Sequence, residues 1–581
     1  MSAFLGVETS LTGRRWTGPS PEVFRQSEAL AQSAQLSPPL CQVLARLNVA
    51  PDAVADYLDP KLRDLLPDPR EIRDMEQAAT RVIEAVDRGE RIAVFADYDV
   101  DGGASAALLL HWLRAHERKA TLYVPDRIDE GYGPNVASMR ALAEDHDLII
   151  CVDCGTLSHE PLAAADGTDV IVLDHHLGGE TLPPALAVVN PNRQDESGAL
   201  SHLCAAAVVF LLLVEAGRQL RSRGGTAPDL LALTDLVALA TVADVAPLIG
   251  VNRAFVRTGL RVMAERRRAG LVALADIARL DTAPTSYHLG YVLGPRINAG
   301  GRVGRADLGA RLLATEDATE ALGLAQALDA LNTERREIEA QVREEALAQA
   351  EARGLDAPLA WACGEGWHPG VVGIVASRLK EASNRPSVVI GFDQETGKGS
   401  GRSVPGVDLG AAIQRLAAEG LLVKGGGHKM AAGLTVKREN LDAAMARLSD
   451  LLSAQTDGIE RAVDLRLDGL IAPSAMTPEL VDQLERAGPF GAAAPAPRFA
   501  LSDQAILHAR RVGSSHLKLR IGDSAGTSVE AIAFGAYESP LGQALEQHDG
   551  HRFHLAGRLS LNLWGGRQTV QLTVEDAART G

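Results

Sequence analysis

Apolar positions along this chain change their spacing three times. Between about residues 76 and 250, short unbroken apolar runs alternate with longer stretches of helical period. Arg91–Ala96, Ala120–Val124, Leu148–Val152 and Val170–Leu173 read as buried strands, and Ala104–Ala115, Pro134–Glu144 and Ala205–Leu220 as helices. That alternation predicts a parallel sheet covered by helices. Residues 250–312 read as helical and loop-rich, with a Gly/Arg segment at Gly294–Gly304. From Glu316 to Arg353 there is no proline and one glycine, and Leu322, Ala325, Leu328 and Leu331 recur at helical spacing. One helix of about 55 Å follows at about 1.5 Å per residue. Its circumference is too polar for full burial, so an exposed strut between two domains is expected.

A second small α/β unit is predicted over about 357–455, with strands at Leu359–Cys363, Ser387–Phe392 and Ala431–Val436. Gly397-Lys-Gly-Ser-Gly-Arg-Ser403 and Gly425-Gly-Gly-His-Lys429 read as glycine-rich loops that interrupt it. From about 460 the period becomes two: Leu517/Leu519/Ile521, Phe553/Leu555, Leu559/Leu561/Leu563 and Val570/Leu572/Val574 alternate with polar residues. Trp564-Gly-Gly-Arg567 reads as a hairpin turn, and the whole as a small all-β barrel. The expected organisation is an extension of unknown role at 1–75, an α/β domain at 76–312, a connecting helix at 313–355, a smaller α/β domain at 356–455 and an all-β domain at 460–578. Short helical patterns such as Pro21–Ala34 are all that the extension shows.

Composition adds limits. A chain of 581 residues should divide into several domains. Met1-Ser-Ala-Phe-Leu-Gly lacks a basic segment followed by an apolar one, and the longest apolar stretch, Cys204–Val214, is far short of the roughly 20 residues that span a bilayer. A soluble, cytoplasmic chain with no membrane partner is expected. Cys151 and Cys154 form a CxxC with no second pair, so the five cysteines read as strand and loop residues in a reducing compartment. A net charge of −17 weighs mildly against nucleic acid. Arginines at 257, 261, 266–268, 296, 302, 305 and 311 can still concentrate basic surface locally, and bound metal adds charge that composition does not count.

The chemistry lies at the strand ends. Asp97, Asp99 and Asp101 follow the first run, Asp153 the third, and Asp174-His175-His176 the fourth. Asp244 follows the helical run ending Ala240-Thr-Val-Ala243 and can close the cluster. Neighbouring strands are about 4.8 Å apart, so such ends converge on one site. Crowded carboxylates with one or two imidazoles and no thiolate suit Mn²⁺ or Mg²⁺, and so many acids suit two ions sharing a carboxylate. A single aspartate after a strand is more often a turn or cap residue; three such clusters in register make the plainer reading hard to sustain.

Asp97-Tyr-Asp-Val-Asp-Gly-Gly103, Val152-Asp-Cys-Gly155, Asp174-His-His176 and Thr241-Val-Ala-Asp244 resemble, in order, the metal-binding motifs of the DHH phosphoesterase superfamily. Gly294-Pro-Arg-Ile-Asn-Ala-Gly-Gly-Arg302, His368-Pro-Gly-Val-Val-Gly-Ile-Val-Ala-Ser-Arg378, Gly399-Ser-Gly-Arg-Ser403 and Gly425-Gly-Gly-His428 look like later motifs of its RecJ-type exonuclease family. The resemblance spans about residues 76–575; Gly103 departs from it where Thr or Ala is commoner. It implies a DHH catalytic domain, a DHHA1 domain across a groove and an OB-fold. It also implies 5′→3′ hydrolysis of single-stranded DNA to mononucleotides with Mn²⁺ or Mg²⁺, in DNA repair and recombination. Asp99, Asp101, Asp153, His175 and Asp244 are then the expected ligands, Asp97 a further one, and Asp153 the bridging carboxylate. His176 is expected to face a phosphate or protonate the leaving group. A single-strand-binding protein and a helicase are implied partners of a monomer. Phosphodiesterase action on short oligonucleotides or cyclic dinucleotides, and a non-catalytic strand-binding role in replication, are the alternatives.

Further residues have expectations of their own. Arg296 and Arg302 frame the Gly/Arg segment, read as a loop whose guanidinium groups clamp phosphate; pairing with nearby acids is the other reading. Arg127 follows a strand end and is expected at a terminal phosphate, or simply at the surface. Ser400 and Arg402 suit a 5′-phosphate or the strand backbone, and the glycines before His428 allow close approach; a plain tight turn is the alternative for both segments. His508, Arg510, Arg511, His516, Lys518 and Arg520 suit an OB-type DNA surface. Of the few aromatic residues there, Phe534 and Trp564 are candidates for stacking and Phe553 is expected in the core, so a module that tracks backbone more than bases is anticipated.

Overall fold

The computed structural model describes residues 3–127, 130–355, 357–456, 463–564 and 567–580, and divides them into two compact units. The larger comprises residues 66–246 and 255–459. Its first sheet holds five parallel strands: β1 (Ile92–Ala96), β2 (Ala120–Tyr123), β3 (Leu148–Val152), β4 (Asp169–Leu173) and β5 (Ala187–Val189), in the order β2-β1-β3-β4-β5. β1 and β3 are buried at every position, as their continuous apolar runs require of a sheet covered on both faces. Helices α1 (Val100–Ala115), α2 (Val136–Asp145), α3 (Ala205–Ser222) and α4 (Thr234–Ala243) connect and cover it. The strand order reverses between β1 and β3, which opens a crevice at their carboxyl ends.

Residues 250–312 are more regular than expected. The Gly/Arg segment is a helix, α5 (Gly294–Val303), entered through one turn of π-helix at Leu289–Leu293. α6 (Ala318–Arg353) is a continuous helix of 36 residues, N-capped by Asp317. It buries a stripe of Ala321, Leu324, Ala325, Leu328, Val342, Ala346 and Ala350 and leaves Leu322 exposed, so it is a lined rod rather than a bare strut.

The second sheet contains β6 (Ala360–Glu365), β7 (Ser387–Asp393), β8 (Thr396–Arg402), β9 (Lys424–His428) and β10 (Ala431–Lys437), in the order β9-β10-β8-β7-β6. All pairs are antiparallel except β6–β7. α7 (Pro369–Ser383) precedes β7, and α8 (Leu409–Ala418) lies between β8 and β9. Both glycine-rich segments expected as loops are strands, β8 and β9. The glycines of β8 have a steric cause. A Cβ at Gly397 would stand 2.7 Å from Ile390, at Gly399 2.8 Å from Ile390, and at Gly401 2.7 Å from Leu409. They keep one face of β8 flat against the core.

The smaller unit comprises residues 1–65, 247–254 and 460–581. Its barrel consists of β11 (Phe499–Val512), β12 (His516–Gly522), β13 (Ser528–Ala533), β14 (Arg552–Trp564) and β15 (Arg567–Arg579), closed by β11–β14 pairing. Leu517, Leu519, Ile521, Phe553, Leu555 and Leu572 are buried as the period of two requires. The turn expected at Gly565-Gly566 lies outside the described residues, as does the side chain of Trp564.

The N-terminal segment has a structural place that the sequence did not disclose. Arg15–Thr17 pairs in parallel with Asp464–Arg466. Trp16 is fully buried and donates from Nε1 to Asp576 at 2.9 Å. Leu30, Leu40 and Leu44 enter one core with Phe499, Leu519 and Phe553. Arg253, 3% exposed, donates to the carbonyls of Ala487 and Gly488 beyond the helix Pro478–Arg486 and stacks on Tyr57 at 3.7 Å.

Candidate metal centre

The turn after β1 is built around its acids. Asp99 N-caps α1: its Oδ1 accepts from the Asp101 N–H at 2.8 Å and the Gly102 N–H at 3.1 Å. A Cβ at Gly102 would lie 2.4 Å from the Asp97 carbonyl oxygen, so the turn needs glycine there. Gly103 also has a reason, since a Cβ would stand 3.3 Å from the Ala310 backbone. Asp101 is buried and accepts from the Ala205 and Ala206 N–H groups at 2.7 and 2.8 Å, where the start of α3 offers unpaired donors. Asp153 follows β3 at φ 60, a left-handed conformation that favours glycine, and Val245, just after Asp244, lies at φ 59. Strain of this kind persists where surrounding structure enforces it, characteristically at functional sites.

Asp174 organises the histidine turn. It accepts from the N–H groups of His175 (2.7 Å), His176 (3.1 Å) and Thr156 (3.1 Å), and its Oδ1 lies 2.8 Å from His176 Nδ1. Asn190 and Asn192 hold the carbonyls of His176 and His175. His175 Nε2 consequently stands 3.3 Å from Asp153, 3.7 Å from Asp101 and 3.8 Å from Asp244. Three sets of side chains bring their ligand atoms within 4.8 Å of one another: Asp153 with His175 and His176, Asp101 with His175 and Asp244, and Asp97 with Asp99 and Asp153. All six expected ligands therefore converge, with His176 beside them, and Asp153 and His175 each belong to two of the sets.

The electrostatics follow from that crowding. Burial, then neighbouring acids, push Asp97 and Asp153 well above the usual carboxylate range. Burial also raises Asp101, and burial with Asp101 and Asp99 raises Asp244 to about 8. One oxygen each of Asp97 and Asp153 is buried without a hydrogen-bond partner. Burial would lift Asp174 as well, but its donors, led by His176, hold it below the carboxylate range. Burial pulls His176 down, yet the Asp174 hydrogen bond and surrounding acids outweigh it and hold it at about 9. Oxygen-rich, negatively charged and partly unsatisfied, the donor set fits hard divalent cations.

Tyr132 carries no periodic signal, only its place between Gly131 (φ 92) and Gly133 (φ 72). Its hydroxyl donates to the Asp153 carbonyl at 3.1 Å and lies 3.2 Å from His176 Nε2. The ring is 55% exposed while the hydroxyl is shut in; burial and then Asp153 raise its pKa, so it stays a donor. Asn298 on α5, also unforeseen, accepts from the Val100 N–H at 3.0 Å.

Beside the acids lies a cationic group. The Arg127 guanidinium stands 5.1 Å from the Tyr98 ring, and that ring lies on Gly301, where a Cβ would meet it at 2.4 Å. Arg302 donates to the Gly370 carbonyl at 3.1 Å, and Arg402 to Ser400 Oγ at 3.0 Å. Burial and then Arg127 lower both Arg302 and Arg402, so the Arg127 guanidinium reaches each of the other two with its field. Among the described residues none of the three pairs with a carboxylate. Arg296 does not join them: it pairs with Asp329 at 2.8 Å and donates to the Val292 carbonyl, which corrects the clamp expected of it. The frame itself is helix, not loop.

Ser400 and Arg402 belong to a larger surface. Register sets Lys398 beside Thr435 and Lys424, Ser400 beside Gly433 and Gly426, and Arg402 beside Ala431 and His428. These nine positions share one face and include no acid. A Cβ at Gly426 or Gly433 would meet nothing within 4 Å, so the middle row is a bare floor flanked by cations. His428 is exposed at the edge of it. In the smaller unit, β11–β12 register sets His508 beside Arg520 and Arg510 beside Lys518, with His508, Arg510, Arg511 and Arg520 exposed. Lys518 is paired with Glu530 at 3.0 Å.

Comparison with known proteins gives consistent matches. Residues 91–241 match the N-terminal domain of the DHH family, 356–454 the DHHA1 domain and 467–576 the RecJ OB domain. The chain is 38% identical over 543 residues to the single-stranded-DNA-specific exonuclease RecJ of Dickeya dadantii, covering 89% of this chain and 92% of that one. It superposes on the crystal structure of RecJ in complex with Mn²⁺ from Thermus thermophilus with a TM-score of 0.81 and 30% identity, over 97% of this chain and 80% of that one. The Mg²⁺ complex from the same organism gives 0.75 and 29%, over 97% and 78%.

Proposed function

The chain belongs to the RecJ family of single-stranded-DNA-specific exonucleases, and on that premise we propose that it shortens single-stranded DNA from the 5′ end, releasing 5′-mononucleotides. The observation that carries this reading is the meeting of two ligand sets, Asp97 with Asp99 and Asp153 and Asp101 with His175 and Asp244, where Asp153 stands 3.3 Å from His175. Asp97, Asp99, Asp101, Asp153, His175 and Asp244 would hold Mn²⁺ or Mg²⁺, which when bound activates water and stabilises charge on the phosphate. Tyr132 fixes the Asp153 main chain, and Asp174 fixes the His176 ring with a proton on Nδ1. His176, whose Nδ1 the Asp174 carboxylate holds, is the donor for the leaving oxygen. Arg127, Arg302, Ser400 and Arg402 would receive the terminal 5′-phosphate, because three guanidinium groups unpaired among the described residues suit a dianion.

The polar face of the barrel and the cationic sheet face offer phosphate contacts without base readout, which supports weak sequence preference. The intact acids and the RecJ OB domain support an exonuclease over a scaffold or a phosphodiesterase of dinucleotides. The proposal includes a cytoplasmic monomer that works with a single-strand-binding protein and a helicase. No described helix is long and apolar enough to cross a membrane. The test is nucleotide release by purified protein with Mn²⁺ from 5′-phosphorylated single strands and from blunt duplex. Release from single strands alone is expected; none from single strands would sink the reading.

A further inference from the structure

The chain has seven tyrosines. Five have partners elsewhere in the fold: Tyr57 under Arg253, Tyr98 beside Arg127, Tyr123 on Phe95, Tyr132 against His176 and Tyr537 under Arg511. Tyr287 and Tyr291 are different. They stack on each other, with ring centroids 5.1 Å apart and planes 26° apart, and Tyr287 also meets the edge of neighbouring His288. They are 63% and 74% exposed, and among the other described large hydrophobic side chains only Val245, at 69%, reaches that range. Two aromatic faces in water are unfavourable for a fold that gains nothing else from them.

Their backbone is also unusual. Tyr291 lies in the π-helical turn Leu289–Leu293, and Tyr287 one turn before it. π-Turns are rare in helices and concentrate at functional sites. Leu289 and Leu293 anchor the segment in the core, and the tyrosines leave it four residues apart on the outer side. The segment lies against the end of α4, which delivers Asp244: a Cβ at Gly290 would stand 3.3 Å from Val242, and one at Gly294 3.4 Å from Ala243. It continues directly into α5, which carries Asn298 and Arg302. Seven residues separate Tyr291 from Asn298, about 10 Å along a helix axis.

We propose that Tyr287 and Tyr291 form a stacking platform for nucleobases of the bound single strand, placed on the helix that borders the metal centre. The inference rests on the single-strand reading of that centre and says which residues of the larger unit hold bases. It also answers the scarcity of aromatic residues on the barrel: the stacking surface lies beside the chemistry. Every base has a π-face, so such a platform grips any sequence, and each base stacked on an aromatic side chain gives up about ten- to hundred-fold in affinity when that side chain is truncated.

The test compares wild type, Tyr287→Ala/Tyr291→Ala and Tyr287→Phe/Tyr291→Phe. Strands carrying 2-aminopurine at successive positions from the 5′ end are titrated in the presence of chelator, so that no cleavage occurs. Fluorescence quenching at one or two positions is expected with wild type and the Phe variant and lost with the Ala variant. With Mn²⁺, KM for long strands should rise tenfold or more in the Ala variant, while turnover of a 5′-phosphorylated dinucleotide stays within twofold. Unchanged quenching and KM would overturn the inference. Equal losses on dinucleotide and long strand would also overturn it, since the tyrosines would then support the catalytic helix and not the bases. A wild-type protein that binds strands with quenching but releases no nucleotide would sink the exonuclease reading and leave the platform standing.

Discussion

The two sheets of the larger unit put their chemistry in different places. In the parallel sheet both faces are covered, and its functional side chains lie beyond the strand ends, where five aspartates, Asp153 among them, and two histidines meet. In the antiparallel sheet one face stays open over β10 and β9, with Lys398, Lys424 and His428 exposed on it and Ser400 and Arg402 of β8 at its margin against Gly373 of α7. Sheet type decides this. A parallel sheet needs crossover helices, which cover both faces and leave only the ends; hairpin-linked strands need no such cover. One sheet therefore offers a point of negative charge suited to metal, the other a cationic area suited to a polyanion.

The sharpest way to break that contrast is to remove one atom group from the point. Asp153→Ala should lower nucleotide release by about 10³-fold or more while circular dichroism and melting behaviour stay close to wild type. A loss of only severalfold would mean that the shared carboxylate is not central. On the cationic face the effect should be graded and specific. Arg402→Ala should raise KM for 5′-phosphorylated strands by roughly 10–100-fold and leave 5′-hydroxyl strands nearly unchanged; equal effects on both ends would detach Arg402 from the terminal phosphate.

The two kinds of glycine on that sheet give a further contrast. Gly399→Ala should destabilise by about 1–3 kcal/mol in denaturant titrations, because its Cβ meets Ile390 and Leu434 at 2.8 and 3.0 Å. Gly426→Ala, with nothing within 4 Å, should be close to neutral in stability. Finally, Asp244 at about 8 binds its proton more tightly folded than unfolded. Its contribution to the metal-free protein is complete below about pH 4 and is lost as pH rises through 8. The melting-temperature gap between protein in chelator and protein saturated with Mn²⁺ should widen by a few degrees from pH 6 to pH 9; a constant gap would remove this proton from the account.

Much of the parallel sheet was legible because burial on both faces writes a continuous apolar run, and the acids follow those runs directly. The glycine-rich strands were misread because Gly397, Gly399 and Gly401 look like punctuation in one dimension, whereas they make room for Ile390 and Leu409 in three. Arg296 shows the same limit: its partner, Asp329, lies one helix away and 33 residues on. Tyr132, Asn190, Asn192 and Asn298 act by hydrogen bonds from loops and a helix face, which no periodicity encodes. The role of the first 65 residues was invisible for a related reason, since their contacts lie more than 400 residues ahead.

That last pairing has a consequence in time. During synthesis the segment holding Leu30, Leu40 and Leu44 leaves the ribosome about 400 residues before the barrel that covers it, roughly 20–80 s at 5–20 residues per second. The catalytic sheets can fold in that interval, but Trp16 has no Asp576 to meet until the last strand is made. The nascent chain thus carries an uncovered apolar segment throughout most of its own manufacture, and slower translation lengthens the period in which a chaperone is its only shelter.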